Sequence, residues 1–152
     1  MVDAARLKDE LTQDEGKVLH VYRDSLGWLT CGIGHSVTRR DGLWLGERIS
    51  EQRCGHLYTQ DAARAVSDCR LLLPDYDALP EEAQLVLANM SFNLGNKLAG
   101  FVRFLAAIEH RDWRTAAAEG RDSLWHRQLP LRSERLMRRL EALAEAEEET
   151  HD

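Results

Sequence analysis

Hydrophobic positions near the N-terminus follow a helical pattern. Leu7 and Leu11 lie four residues apart, and the residues between them are mostly polar. Asp3 is a suitable N-cap, and Gly16 is suited to the left-handed conformation that ends many helices. The pattern therefore predicts a first helix over residues 4–15.

A second, longer helical pattern follows Ser50. Apolar residues recur at helical spacing as far as Leu73, Ser50 can cap the start, and Pro74 cannot continue a helix. We expect one long helix over residues 51–73.

The C-terminal half has the same character. Pro80 suits a first helical position, an apolar run continues through Leu94, and Gly95 can end it. Three further helices are predicted at residues 101–109, at 112–119 with Gly120 as the stop, and at 130–147.

Between the first two helices the spacing of apolar residues changes from a helical to a strand-like pattern. Residues 18–22 and 28–33 are rich in β-branched and aromatic residues, and the sequence RDSLG between them has turn chemistry. This predicts a β-hairpin, with a third short strand near SVTRRDG (residues 36–42). The fold class is therefore α+β: one domain with a β-containing lobe over 15–50, a connecting helix, and a helical lobe over 74–152.

Composition excludes several classes of protein. The 152 residues carry a formal net charge of −6, which argues against general nucleic-acid binding. No apolar run is long enough to cross a bilayer, and the N-terminus does not read as a secretory signal. The basic segment 127–140 has two interpretations: a face that meets an anionic polymer, or a solvated face that offsets the acidic tail.

Cysteine and histidine give no sign of a metal site. Cys31, Cys54 and Cys69 are odd in number and lack CxxC spacing, and no two histidines lie at helical i, i+4 spacing. We expect reduced, mostly buried thiols, with no metal and no cofactor.

Two carboxylates flank the first predicted strand. Glu15 ends a helix, where the negative end of the helix dipole favours its protonated form, and Asp24 begins a turn that favours its ionised form. Glycoside hydrolysis requires one protonated carboxyl group as the acid and one ionised carboxylate as the base or nucleophile. With 26 acids in the chain, however, the pair fits equally well a helix-end Glu and a turn Asp without catalytic roles.

The residues around this pair resemble the active-site region of the phage lysozymes, the T-even type muramidases of glycoside hydrolase family 24. The spacing of the family's catalytic Glu, Asp and Thr falls on Glu15, Asp24 and Thr30 without insertion or deletion. Further matches follow in family order: GIGH at 32–35, NMSFNLG at 89–95, AGF at 99–101, Trp113, and WHRQLPLRSER at 125–135. The resemblance covers residues 15–140.

This resemblance implies a lysozyme-like fold with an active-site cleft between the lobes. It implies hydrolysis of the β-1,4 bond between N-acetylmuramic acid and N-acetylglucosamine in peptidoglycan. Glu15 would protonate the leaving oxygen, while Asp24 and Thr30 would activate a water for an inverting displacement. Such a mechanism requires carboxyl groups about 6.5–9.5 Å apart.

The resemblance also implies a biological setting. The protein would be a monomeric endolysin that is made in the host cytoplasm and reaches the periplasm through a holin; the alternatives are a protein carried in the virion and a domain cut from a longer chain. Its partner would be peptidoglycan, without nucleic acid and without stable membrane insertion.

Other residues receive supporting roles from the same resemblance. His35 and Arg132 are predicted to support the catalytic residues, and Phe92, Ser36 and Gly34 to contact substrate.

Further positions are judged from the residue types. Gly32, like Gly34, suits close backbone packing or positive φ. Trp113 and Trp125 are expected in the core, whereas Trp28 and Trp44 are open between core and sugar stacking.

Two other function classes remain as alternatives. One is a lysozyme-fold module that binds peptidoglycan or a partner protein and has lost catalysis. The other is a purely structural helical protein in which the CGIGH sequence only packs.

Overall fold

The structure is a computed structural model that describes residues 2–151. Within these residues it contains seven α-helices, three strands and three short 3-10 helices. In chain order, the helices and strands are α1 (Ala4–Glu15), β1 (Val18–Arg23), β2 (Leu29–Gly32), β3 (His35–Ser36), α2 (Glu51–Leu72), α3 (Glu81–Leu94), α4 (Val102–Glu109), α5 (Trp113–Arg121), α6 (Leu124–Gln128) and α7 (Pro130–His151). The 3-10 helices are Arg39–Asp41, Tyr76–Ala78 and Gly95–Gly100. This confirms the α+β class.

The chain divides into two compact units. The sheet unit comprises Ala4–Arg64, and the helical unit comprises Ala65–Asp152 and the residues before Ala4. The division falls within α2. No helix of the described residues has the length and apolar character that crossing a membrane requires.

The sheet is antiparallel in the order β1-β2-β3. Tyr22 pairs with Thr30 across β1 and β2, and Thr30 pairs in turn with Ser36 on β3. The register of β1 shifts between Val18 and Tyr22, where residues 46–49 run beside the strand and exchange backbone hydrogen bonds with residues 19 and 21. Thr30 therefore lies on the central strand of a short, closely bonded sheet.

The ends of α1 and α2 follow the predicted chemistry. Gly16 adopts φ +76°, and its amide donates to the carbonyl of Thr12, which ends α1 at Glu15. The Ser50 hydroxyl accepts from the amide of Arg53 at 2.9 Å and caps α2. Local capping thus fixes where Glu15 leaves its helix.

The helical unit is built around an apolar core. Every residue of α3 from Ala83 to Phe92 is buried, and the core continues through the helices that follow. Trp113 and Trp125 are buried, which confirms the core prediction for both. Trp28 and Trp44, in the sheet unit, are exposed by 67% and 66%.

The local structure differs from the predictions in three places. The predicted third strand forms, but as the two residues His35–Ser36, and residues 39–41 form a 3-10 helix. Gly120 does not end its helix but lies inside α5, where a side chain would collide with the Met137 sulfur. The sequence also did not predict α6, which at five residues is too short to show a period.

Candidate active site

Glu15 is the last residue of α1 and is half-buried. The helix is held by the buried side chains of Leu7 and Leu11 on its other turns. Because α1 ends there and Gly16 turns the chain away, the Glu15 carboxyl is presented from a packed helix and not from a flexible loop.

Asp24 organises the turn between β1 and β2. Its Oδ1 accepts hydrogen bonds from the amides of Leu26 and Trp28, each at 2.9 Å. Its backbone amide donates to the carbonyl of Trp28, and its carbonyl accepts from Gly27, which adopts φ +86°. The carboxylate is therefore held in place by backbone donors, and both amide bonds reach only one of its oxygens.

Thr30 is tied to the same turn. The side chain is buried, and its hydroxyl donates to the carbonyl of Trp28 at 3.0 Å. The backbone of Trp28 thus serves both predicted water-holding residues, since its amide binds Asp24 and its carbonyl binds Thr30. The hairpin backbone therefore fixes the positions of the Asp24 and Thr30 side chains relative to each other.

Gly34 lies directly against Glu15. Its φ is +59°, and a Cβ atom at this position would lie 2.8 Å from both Cβ and Cδ of Glu15. The loop between β2 and β3 therefore meets the end of α1 at the predicted acid.

Tyr22 is a site residue that the sequence analysis missed. Burial raises the pKa of its phenol, and the negative charges of Glu15 and then Asp24 raise it further, so the side chain lies in the field of both carboxyls. It remains a neutral hydrogen-bond donor at physiological pH. Its place in β1, two residues before Asp24 in the sequence, was the available signal.

His35 is clamped between two aspartates. Its Nδ1 lies 2.7 Å from Asp61 and its Nε2 lies 2.9 Å from Asp41. Burial by itself lowers the pKa of His35, but the hydrogen bonds to Asp61 and Asp41 outweigh it, so the pKa is raised. The ring links β3 to α2 and to the 3-10 helix 39–41. His35 is therefore a structural support of the loop between β2 and β3.

Asp41 is held by more than the imidazole. Burial by itself raises the pKa of Asp41, but a hydrogen bond from the Thr38 amide and then the bond from His35 outweigh it, so the pKa is lowered. Asp41 is therefore a charged partner for His35 over the whole neutral range.

Cys31 is a packing residue. Its thiol is fully buried, and burial, followed by the charge of Asp41, raises its pKa to about 11. A thiol of this kind is not ionised near neutral pH and cannot act as a nucleophile. All three cysteines are buried thiols outside any disulfide bond, in agreement with the prediction.

The remaining predicted residues lie on β3 and in the helical unit. Ser36 is exposed on β3, opposite Thr30. Phe92 and Arg132 belong to the helical unit, where Phe92 is buried in α3 and the Arg132 Nε donates to Asn89 at 3.0 Å. The sheet unit thus contains Glu15, Asp24, Thr30 and Gly34, with Gly34 against Glu15 and with Asp24 and Thr30 both bound to Trp28.

The basic segment 127–140 is partly neutralised within the helical unit. Arg139 pairs with Glu82 at 2.6 Å and Arg138 with Glu134 at 3.3 Å. Both partner acids lie outside the acidic tail, so these contacts do not decide between the two interpretations of the basic segment.

No metal site is present among the residues that the structure describes, since no group of three or more His, Cys, Asp or Glu side chains could hold an ion. One carboxyl at a helix end, one carboxylate held by amides and a fixed hydroxyl are suited to general acid and base catalysis.

Comparison with known proteins gives consistent matches. A family model described as Phage lysozyme matches residues 12–142. The chain is 31% identical over 154 residues to "Probable T4-type lysozyme 2" of Dictyostelium discoideum, covering 86% of this chain and 91% of that protein. It is 30% identical over 152 residues to "Pre-baseplate central spike protein Gp5" of Enterobacteria phage T4, covering 86% of this chain and 26% of that protein. A third relative, 26% identical over 139 residues, is "Peptidoglycan hydrolase gp36" of Pseudomonas phage phiKMV, with 91% of this chain and 15% of that protein covered.

Proposed function

The chain belongs to the phage lysozyme family, and from that premise we propose that it hydrolyses peptidoglycan as an endolysin. The bond cleaved is the β-1,4 link between N-acetylmuramic acid and N-acetylglucosamine. The observation that carries the proposal is the grouping in one compact unit of a helix-end Glu15 with Asp24 and Thr30, both bound to the backbone of Trp28.

In the proposed reaction Glu15 donates a proton to the glycosidic oxygen that leaves. Asp24 accepts a proton from a water molecule, and Thr30 orients that water for attack on the opposite face of the sugar. The turn amides bind Oδ1 of Asp24, so Oδ2 is the oxygen assigned to the water. A single displacement of this kind inverts the anomeric configuration.

Product analysis tests the reaction directly. Purified peptidoglycan is digested, and the fragments are identified by mass spectrometry. Reducing-end N-acetylmuramic acid is the expected product, whereas anhydro-sugars would instead indicate a lytic transglycosylase. The anomer formed first, observed by NMR, decides between inversion and retention.

The acid role of Glu15 is tested by Glu15→Gln, which keeps the size of the side chain and removes the proton it donates. Turbidity clearing of permeabilised bacteria is expected to slow by roughly 10²–10⁴-fold, the usual contribution of general acid–base catalysis. Equal clearing by wild type and variant would favour the alternative, a module that binds peptidoglycan without cleaving it.

The biological role proposed is lysis of the bacterial host from within. The protein would act as a monomer on the cell wall in the periplasm, after release through a holin. Cells that express it are then expected to lyse promptly only when the inner membrane is opened, for example with chloroform. The supporting role of Arg132 and the substrate contacts of Phe92 and Ser36 stay predictions.

A further inference from the structure

Gly34 and Glu15 occupy adjoining space in the sheet unit. A Cβ atom at Gly34 would overlap the Glu15 Oε2 and would lie 2.8 Å from both Cβ and Cδ of that residue. Real Cβ atoms essentially never approach other heavy atoms so closely. The space that a side chain at position 34 would fill is therefore the space in which the Glu15 carboxyl lies.

The contact involves the Cβ atom of Glu15, next to the backbone, as well as the carboxyl group at the end of the side chain. Rotation about the outer bonds of Glu15 can move Oε2 and Cδ, but Cβ is attached to the backbone of α1. Any side chain at position 34 must therefore move the carboxyl aside and also shift the β2–β3 loop away from the helix end.

We infer that Gly34 is a positioning residue for the acid, and that its lack of a side chain holds the Glu15 carboxyl where it protonates the substrate. This inference rests on the proposed function, in which Glu15 is the general acid. It assigns Gly34 a role through Glu15, in place of the direct substrate contact expected from the sequence.

A matched control exists within the same unit. Gly42 adopts φ +64°, close to the +59° of Gly34, but no atom lies within 4 Å of a Cβ built on it. Alanine at either position would have to adopt the left-handed backbone conformation, so the backbone strain is the same in both variants. Only alanine at position 34 meets Glu15.

The kinetic experiment compares Gly34→Ala with Gly42→Ala on soluble peptidoglycan fragments. Gly34→Ala is expected to lower kcat on the order of 100-fold with KM near the wild-type value, because a small misplacement of a catalytic group has effects of that size. Gly42→Ala is expected to keep both constants. A raised KM with unchanged kcat in Gly34→Ala would instead indicate a substrate contact and would overturn the inference.

A thermal-unfolding cycle tests the same contact without using activity. Glu15→Ala removes Oε2 and Cδ, two of the three atoms that the new methyl group would meet. The loss of Tm caused by Gly34→Ala is expected to be smaller in the Glu15→Ala background than in wild type, whereas the loss caused by Gly42→Ala is the same in both.

The outcomes separate this inference from the proposed function. Equal losses of Tm in the two backgrounds, or failure of Gly34→Ala to fold in both, would overturn the positioning role. Folding only in the Glu15→Ala background would support it. If wild type cleaves no peptidoglycan, the proposed function fails, and the unfolding cycle still decides whether Gly34 and Glu15 compete for space.

Discussion

In the helical unit, ten consecutive residues of α3, Ala83 to Phe92, are buried, and four of them belong to the apolar core of the unit. In the sheet unit, the positive φ angles concentrate instead: of the seven glycines with such angles among residues 2–151, six lie there and one, Gly95, lies in the helical unit. The six are Gly16, Gly27, Gly32, Gly34, Gly42 and Gly46.

The two units therefore fix atoms in different ways. Apolar burial holds helices in place through many small contacts, each of which tolerates some adjustment. A left-handed glycine fixes the direction of the chain at a single residue, and side-chain to backbone hydrogen bonds such as those of Asp24 then set individual atoms. The proposed catalytic groups lie in the sheet unit, whereas the large buried helix α3 lies in the helical unit. Mutations should therefore be able to change stability and activity separately.

The largest expected effect is on activity, in the sheet unit. Asp24→Asn keeps an oxygen that accepts from the amides of Leu26 and Trp28, so the turn is preserved, but an amide cannot take a proton from water. We expect kcat to fall roughly 10²–10⁴-fold while Tm stays near wild type. Steady-state hydrolysis and calorimetry measure the two quantities.

The control for this change is Asp75→Asn, an exposed aspartate of the helical unit. It is expected to leave kcat unchanged. Full activity in Asp24→Asn would exclude Asp24 from the chemistry and would remove the distinction between the units.

The next effect is on stability, in the helical unit. Leu87 is fully buried in α3, and Leu87→Ala is expected to lower the free energy of unfolding by about 2–5 kcal/mol through lost contacts and a cavity. The kcat of the folded protein should remain close to wild type. Urea unfolding and activity at a temperature where both proteins are folded provide the comparison.

Leu71 on α2, exposed by 78%, provides the same substitution without burial. Leu71→Ala should change stability by less than about 0.5 kcal/mol. A large loss of kcat in Leu87→Ala would contradict the separation of stability from activity.

The smallest expected effect is on stability, in the sheet unit. It sharpens the comparison because the other prediction for that unit concerns activity. The pKa of His35 is raised in the folded state, so its charge stabilises the fold fully below the unfolded value of about 6.5, and this contribution is lost as pH rises through the higher folded value. His35→Gln should therefore cost roughly 1.5–3 kcal/mol at about pH 6, and less as pH rises above that range.

Urea unfolding at a series of pH values measures this difference. His56→Gln, at an exposed position of α2, is the control and should show a small difference at every pH. A gap between wild type and His35→Gln that does not change with pH would mean that the imidazole contributes by packing and not by its charge.

Much of the local structure was readable from the sequence. The bounds of α1 were predicted correctly because a polar–apolar period and a glycine stop act over a few residues. Gly120 was misread by the same rule, since a glycine inside a helix and a glycine after one look alike until the Met137 side chain is seen to fill the space. The roles of His35 and Tyr22 needed the fold, because Asp61 is 26 residues from His35 and the field on Tyr22 comes from two separate elements.

The sequence by itself determined the α+β class, the helix ends that present Glu15, and the spacing of Glu15, Asp24 and Thr30 that marks the family. These features depend on local propensity and on order along the chain, which are written in neighbouring residues. Only the tertiary structure decided that Gly34 leaves room for Glu15 and that two aspartates hold His35. Those relations are distances between atoms of different elements, and such distances are set when the chain packs.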